Sequence, residues 1–218
     1  DTTAQVPKSA PVAALYLQLD PDYPELWQLG AIAKKLGAGA VGVIPTDTVY
    51  AFVCDVGDKD AIERLYRVKQ LDPKKPLSLL CKDLAAISEY TKGLRNSHYR
   101  AMRRCLPGPF TFILQAGAPV PKLMLTGKRR EIGVRVPDDV ICAALLGDLE
   151  RPLLCTSVRT PEDSFWNNPA EINETYGKRL DFIIDGGQRF AEPSTVIDLT
   201  EEDPVIVRHG KGDPDLFE

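Results

Sequence analysis

Histidine is almost missing from this chain. His98 and His209 are the only two among 218 residues, so a histidine-built metal centre is not expected. No apolar run approaches the ~18 residues that a membrane-crossing helix needs. There is no Cys-x-x-Cys spacing, and the five cysteines (54, 81, 105, 142 and 155) are scattered and odd in number. Four lie in or beside apolar runs, which suits reduced, buried thiols in a cytosol-like compartment better than a disulfide framework. A cytoplasmic or organellar setting follows, and a removed targeting peptide is compatible with a chain that opens on Asp1. An excess of positive charge is also absent. The net charge of −4 gives no global attraction to nucleic acid or anionic membrane, so any anion must be met by a local cluster. Neither a G-x-x-x-x-G-K-[ST] loop nor a G-x-G-x-x-G opening a helix occurs. A nucleotide, if bound, does not use those cradles. No nucleophile–histidine pair is evident either, which argues against a covalent intermediate.

What is present is an ordinary globular composition, 44% hydrophobic and 27% charged, in a chain long enough to bury a sizeable core. The organising stretch runs from Ala40 to Ala51 (A-V-G-V-I-P-T-D-T-V-Y-A). It begins as a buried, β-branched strand and stops at Pro45, which cannot donate to a central ladder. Two hydroxyls, a carboxylate and a phenol follow. A strand that delivers small polar groups at its end is how an α/β protein builds a site. The plainer reading is an ST-turn in which Thr46 and Asp47 bond their own backbone.

Residues 1–13 are polar, contain proline and lack periodicity; they are expected to form a mobile arm ahead of one domain over 14–218. A helix is expected from Asp20-Pro21 to about Lys35, stopped by Gly37. Further helices are expected over 58–68, 83–90, 97–105, 119–125, 138–149 and 169–176, with Asp58 and Asp138 as caps. Strands are expected over 77–81, 110–114, 131–137, 152–157 and 182–187. Ser194–Leu199 and Val205–Arg208 should pair as a hairpin across Glu201-Glu202-Asp203. The basic stretches 69–76 and 126–130 read as loops. This order gives a single-domain α/β fold with a large mixed sheet.

Four strand ends share one habit. They finish on hydroxyls or a lone arginine: Thr46 and Thr48, Thr156 and Ser157, Ser194 and Thr195, and Arg208. Arg135 is flanked by valines and is either a cavity cation or the partner of Asp138 or Asp139. Hydroxyls with convergent cations suit a polyanion such as a nucleotide. Such chemistry runs on positioning and charge stabilisation.

Seven motifs occur in order: Ile44-Pro45-Thr46-Asp47-Thr48-Val49-Tyr50; Lys69 with Lys75-Pro76-Leu77-Ser78-Leu79; Pro107-Gly108-Pro109-Phe110-Thr111; Val134-Arg135-Val136-Pro137; Thr156-Ser157; Ser194-Thr195-Val196-Ile197-Asp198; and Val207-Arg208-His209-Gly210. Together they resemble the YrdC-like family of threonylcarbamoyl-AMP synthases over about residues 25–210. Lys69-Gln70-Leu71 and Thr156-Ser157-Val158-Arg159 look closest to its YciO branch. The resemblance implies a twisted open sheet around a concave, positively charged cavity. There L-threonine, bicarbonate and ATP with Mg²⁺ would give threonylcarbamoyl-AMP and pyrophosphate for tRNA modification. Thr46, Tyr50, Ser194 and Thr195 would meet threonine. Lys69, Thr111, Ser157 and Arg208 would meet the nucleotide, and Arg135 and Lys75 would be cavity cations. Mg²⁺ would arrive with ATP, without a protein-only metal site. The family's synthases carry Lys-x-Arg where this chain has Lys69-Gln70-Leu71, and Ser-x-Asn where it has Ser157-Val158-Arg159. Arg67, Lys74 and Arg159 are the nearby cations available to replace the missing arginine. The alternative is a nucleotide-binding or double-stranded RNA- or tRNA-binding protein with little or no synthase chemistry.

Overall fold

The computed structural model describes residues 13–70, 77–125, 130–160, 162–189 and 192–217. Its strands are β1 (Leu15–Gln18), β2 (Gly42–Ile44), β3 (Ala51–Asp55), β4 (Ser78–Leu80), β5 (Thr91–Lys92), β6 (Phe110–Ala116), β7 (Glu131–Arg135), β8 (Leu153–Ser157), β9 (Phe182–Asp185), β10 (Thr195–Asp198) and β11 (Val205–Arg208). The helices are α1 (Leu26–Gly37), α2 (Lys59–Lys69), α3 (Leu84–Tyr90), α4 (Asn96–Cys105), α5 (Val140–Leu149) and α6 (Pro169–Tyr176). All the strands join one open sheet in the order β1-β9-β2-β3-β8-β4-β7-β6-β10-β11, with β5 paired to β6 off this path. Parallel and antiparallel neighbours alternate irregularly, so the sheet is mixed as expected.

Several boundaries move for physical reasons. The first helix starts late because Asp20 Oδ1 accepts the amides of Asp22 and Tyr23 at 2.9 Å, an Asx-turn that competes with helix. The cap of α5 is Asp139, which accepts Cys142 N–H at 2.9 Å; Asp138 instead donates its own N–H to Asp47 Oδ2. Asp58 and Asp83 cap α2 and α3 through the amides of Ala61 and Ala86. The helix expected over 119–125 shrinks to a 3₁₀ turn at Lys122–Met124. Three strands were not anticipated, among them the two-residue β5. β3 is buried throughout, and its A-F-V-C-D run follows the polar turn too closely to stand out. β1 is short and lies at the sheet edge.

Side chains alternate across the sheet. Leu79, Phe112, Val134 and Leu154 face one way and pack under α2, α3, α4 and α6. The opposite face is covered over β9, β2, β3 and β8 by α1 and α5, which set Leu29, Ile32, Leu36, Ile141 and Leu145 against Ile44, Val53, Leu153 and Phe182. Each such fully buried side chain contributes roughly 1.5–3 kcal/mol of transfer free energy. Past β8 only Leu80, on β4, still joins this packing, and among the described residues the rest of the face lines a cavity.

A cavity on the uncovered half of the sheet face

The uncovered half is a cavity of about 320 Å³, within the roughly 300–1,000 Å³ range of small-molecule sites. It crosses seven neighbouring strands, from Ala51 on β3 through Cys155 and Ser157 on β8, Ser78 on β4, Gly133 and Arg135 on β7, Thr111 on β6 and Val196 on β10 to Arg208 on β11. The floor is a register row in which Cys155 stands opposite Ser78, Ser78 opposite Gly133 and Gly133 opposite Ile113. Gly133 keeps the floor open, since a Cβ there would run into Ser78 Oγ. Ala51 and Cys155 belong both to this floor and to the core under α1 and α5, so cavity and core share one surface. Burial pushes the Cys155 thiol up to about 11, against the pull of Arg135 and Lys69.

The polar groups converge from two walls. On one, Thr111 Oγ1 and Ser194 Oγ lie 2.7 Å apart, and the Arg208 guanidinium donates to Ser194 O at 2.8 and 3.1 Å and to Ser194 Oγ at 3.2 Å. These acceptors of Arg208 are neutral. Burial lowers its pKa first, then the charges of Arg159 and Arg135. On the facing wall, Lys69 Nζ, at the end of α2, reaches Thr156 Oγ1 at 2.5 Å and Ser157 O at 2.6 Å. Glu131 is the one carboxylate among the described lining residues.

Arg135 closes the cavity toward the Pro45–Tyr50 turn. Its partner is Asp47, at 2.7 Å, with Thr48 Oγ1 at 3.1 Å. The pairing with Asp138 or Asp139 weighed from sequence is therefore corrected: Asp139 is bound to Arg189 at 3.3 Å. Only 8% of the Arg135 side chain and 6% of that of Asp47 are exposed, so this is an interior pair, and Arg135 still lines the cavity.

Of the residues expected at the site, Thr111, Ser157, Ser194, Arg135 and Arg208 line one cavity, and Lys69 bonds to its wall. Thr46, Tyr50 and Thr195 are placed behind the wall instead, each fully buried. Thr46 Oγ1 donates to Val49 O at 2.7 Å and accepts Thr48 N–H at 3.1 Å, which is the ST-turn. Tyr50 OH donates to Gly187 O at 2.6 Å and accepts Gly186 N–H. Thr195 Oγ1 donates to Gly212 O at 2.5 Å and accepts Gly210 N–H. Their hydroxyls hold backbone because each points at an unpaired turn group. Lys74 and Lys75 lie outside the described residues. The sequence reading passed over Glu131 and Phe165 as lining groups, and Lys211, whose Nζ donates to Asp47 O at 2.6 Å. The alternation of E-I-G-V-R pointed to Glu131, whereas nothing local marked the other two.

Among the described residues, no group of three or more His, Cys, Asp or Glu could hold a metal, and no helix is long and apolar enough to cross a membrane.

The whole chain has close parallels. The "uncharacterized protein YciO" of Escherichia coli K12 is 40% identical over 203 residues, which span 93% of this chain and 98% of that one. The crystal structure of E. coli YciO superposes with a TM-score of 0.88 at 38% identity, covering 94% of this chain and all of the other. The Sua5 of Pyrococcus abyssi, crystallised with L-threonine, matches at TM-score 0.84 and 26% identity over 90% of this chain, which spans 58% of that longer protein. The P. abyssi threonylcarbamoyl-AMP synthase is 29% identical over 187 residues. The sequence profile of the Sua5/YciO/YrdC family, described as "Telomere recombination", matches residues 34–210. With that match over most of its length, the chain belongs to the Sua5/YciO/YrdC family.

Proposed function

We propose that the cavity binds ATP and L-threonine and forms threonylcarbamoyl-AMP. The observation that carries this reading is the facing pair of walls: Thr111, Ser194 and Arg208 on one side, Lys69 and Ser157 on the other. Relatives named as threonylcarbamoyl-AMP synthases, and a Sua5 structure with L-threonine, support the substrate class. The threonine amine adds to the carbon of bicarbonate and water leaves, giving a carbamate. A carbamate oxygen then attacks the α-phosphorus of ATP, and the bond to the β-phosphate breaks to release pyrophosphate. Two anions must approach each other for this step. Arg208, Lys69 and Arg135 offset that repulsion from fixed positions, without reorganisation cost at the moment of reaction. Ser194 and Thr111 orient the ligand, Thr195 braces the backbone next to Ser194, and Thr46 and Tyr50 brace the turns behind Arg135. Mg²⁺ would neutralise phosphate charge when bound with ATP, held by phosphate oxygens, with Glu131 the nearest lining carboxylate.

Calorimetric titration with ATP-Mg²⁺, alone and with threonine and bicarbonate, tests the reading together with pyrophosphate release. ATP affinity should rise when threonine is present, because coupled subsites bind cooperatively. Well-folded protein that binds no nucleotide and releases no pyrophosphate would refute it.

A second reading, recognition of double-stranded RNA or tRNA, draws on the exposed Arg95, Arg100, Arg103 and Arg104 along α4. Affinity for an RNA duplex would then fall steeply with salt.

A further inference from the structure

Two guanidinium groups line the cavity, and a third stands beside it against a lining residue, Phe165. Arg135 is balanced by Asp47 at 2.7 Å. Arg208 donates to neutral oxygens of Ser194. The third, Arg159, lies two residues beyond Ser157 at the end of β8. It is no loose surface side chain. Arg159 pairs with Phe165 in an isolated β-bridge, and its guanidinium stacks 4.3 Å over the Phe165 ring, a ring that itself lines the cavity. Asp163 fixes the other edge, with its carboxylate at 3.1 Å and its carbonyl accepting at 2.9 Å. Both contacts use Nη1. The Asp163 side chain is 77% exposed, so this pair is well solvated and contributes little to holding the charge in check. The loop therefore holds a planar fork beside the cavity, against the lining ring of Phe165, with a solvated carboxylate as its one ion-pair partner among the described residues. Burial is the main cause that lowers the Arg208 pKa, and the charge of Arg159 adds to it, so the two cations lie near enough to feel each other.

We propose that Arg159 is a specificity-determining residue that, with Arg208, grips the polyphosphate of the bound nucleotide, so that this cavity selects ligands by the number of their phosphates. The proposal rests on the nucleotide-binding reading above. A guanidinium fork meets phosphate oxygens two at a time, and each added phosphate brings charge into reach of the Arg159–Arg208 pair. A lysine, as a point charge, reproduces only part of this.

The test is titration of the full chain and of Arg159→Gln, Arg159→Lys and Asp163→Asn with ATP, ADP and AMP, each with Mg²⁺. The parent protein should rank ATP above ADP above AMP. In Arg159→Gln, ATP affinity should drop about tenfold or more and AMP affinity should stay within about twofold, so the ATP-to-AMP ratio collapses. Arg159→Lys should fall between the two. Asp163→Asn should keep or raise ATP affinity by releasing the fork. An unchanged ATP-to-AMP ratio in Arg159→Gln, while the parent protein binds ATP, overturns this inference and leaves the nucleotide reading intact. A loss in Asp163→Asn equal to that in Arg159→Gln also overturns it, because Arg159 would then be acting only as a loop brace. A parent protein that binds none of the three nucleotides refutes both.

Discussion

One face of the sheet is built in two ways. Over β9, β2, β3 and the start of β8 it is roofed by α1 and α5 and carries Phe182, Ile44, Val53 and Leu153. From the end of β8 to β11 it lacks that roof among the described residues and carries Ser157, Ser78, Thr111 and Arg208. The change happens inside single strands. Along β8 the same face reads Leu153, Cys155, Ser157, and along β4 it reads Leu80 and then Ser78. The sequence switches from apolar to hydroxyl where the helical cover ends. The ladder runs on across that line, with a register shift only at its far end between β10 and β11, so the side chains and the roof separate core from site.

The sharpest way to break this division is at its hinge, the interior pair of Arg135 and Asp47. Asp47→Ala leaves a buried guanidinium uncompensated, at a cost of about 3–5 kcal/mol. For a chain of this size, thermal unfolding should show a fall in Tm on the order of 10 °C. Replacing both partners by apolar residues should recover much of the loss. Next comes the roofed half. Leu153→Ala should cost about 2–5 kcal/mol, read as a shift in denaturant midpoint. Gly133→Val sets a side chain against Ser78 and into the cavity, costing about 1–3 kcal/mol as an overpacking change and abolishing nucleotide binding by calorimetry. Ser157→Ala, two residues along the same strand face as Cys155, should change stability by less than about 0.5 kcal/mol yet weaken nucleotide binding severalfold. If Leu153→Ala and Ser157→Ala had equal effects on stability, the division would be wrong.

The remaining effect concerns pH, and it grows as the solution turns alkaline. Burial raises the thiols of Cys54, Cys81 and Cys142 as well as that of Cys155, which reaches about 11. The unfolded chain gives up these protons near pH ~8.5, while the folded chain keeps them. Their contribution is therefore complete below that pH and is lost as pH climbs toward 11. Denaturation midpoints measured from pH 8 to 10.5 should decline gradually, and a flat profile would mean the thiols are hydrated.

Much of this was legible in the chain itself. Period-two alternation located β7, a short apolar run ending on hydroxyls located β8, aspartates marked the caps of α2 and α3, and the hairpin of β10 and β11 followed from two short β-branched runs. The cavity's hydroxyls were legible as a class, since strand ends carried them. Which hydroxyls face the cavity was not. Thr46 and Ser194 look alike in sequence, and they separate only because one finds the carbonyl of Val49 three residues away while the other meets Thr111 across 83 positions. Long-range partners also decided Arg135. Of the acids adjacent in sequence, Asp139 is committed to Arg189, and it is Asp47 that reaches Arg135 from 88 positions away.

The position of β11 has a kinetic consequence. It hydrogen-bonds to β10 alone, at the margin of the sheet, with Val205, Ile206 and Val207 half exposed. Arg208, on that strand, is thus carried by the least supported wall, and fraying of one hairpin can open the cavity while the packed layers stay intact. Such sub-global opening costs only a fraction of the unfolding free energy. Residence time of a bound anion would then be set by this hairpin's lifetime, and the amides of Val205–Arg208 should exchange with solvent early in the free protein and late in the loaded one.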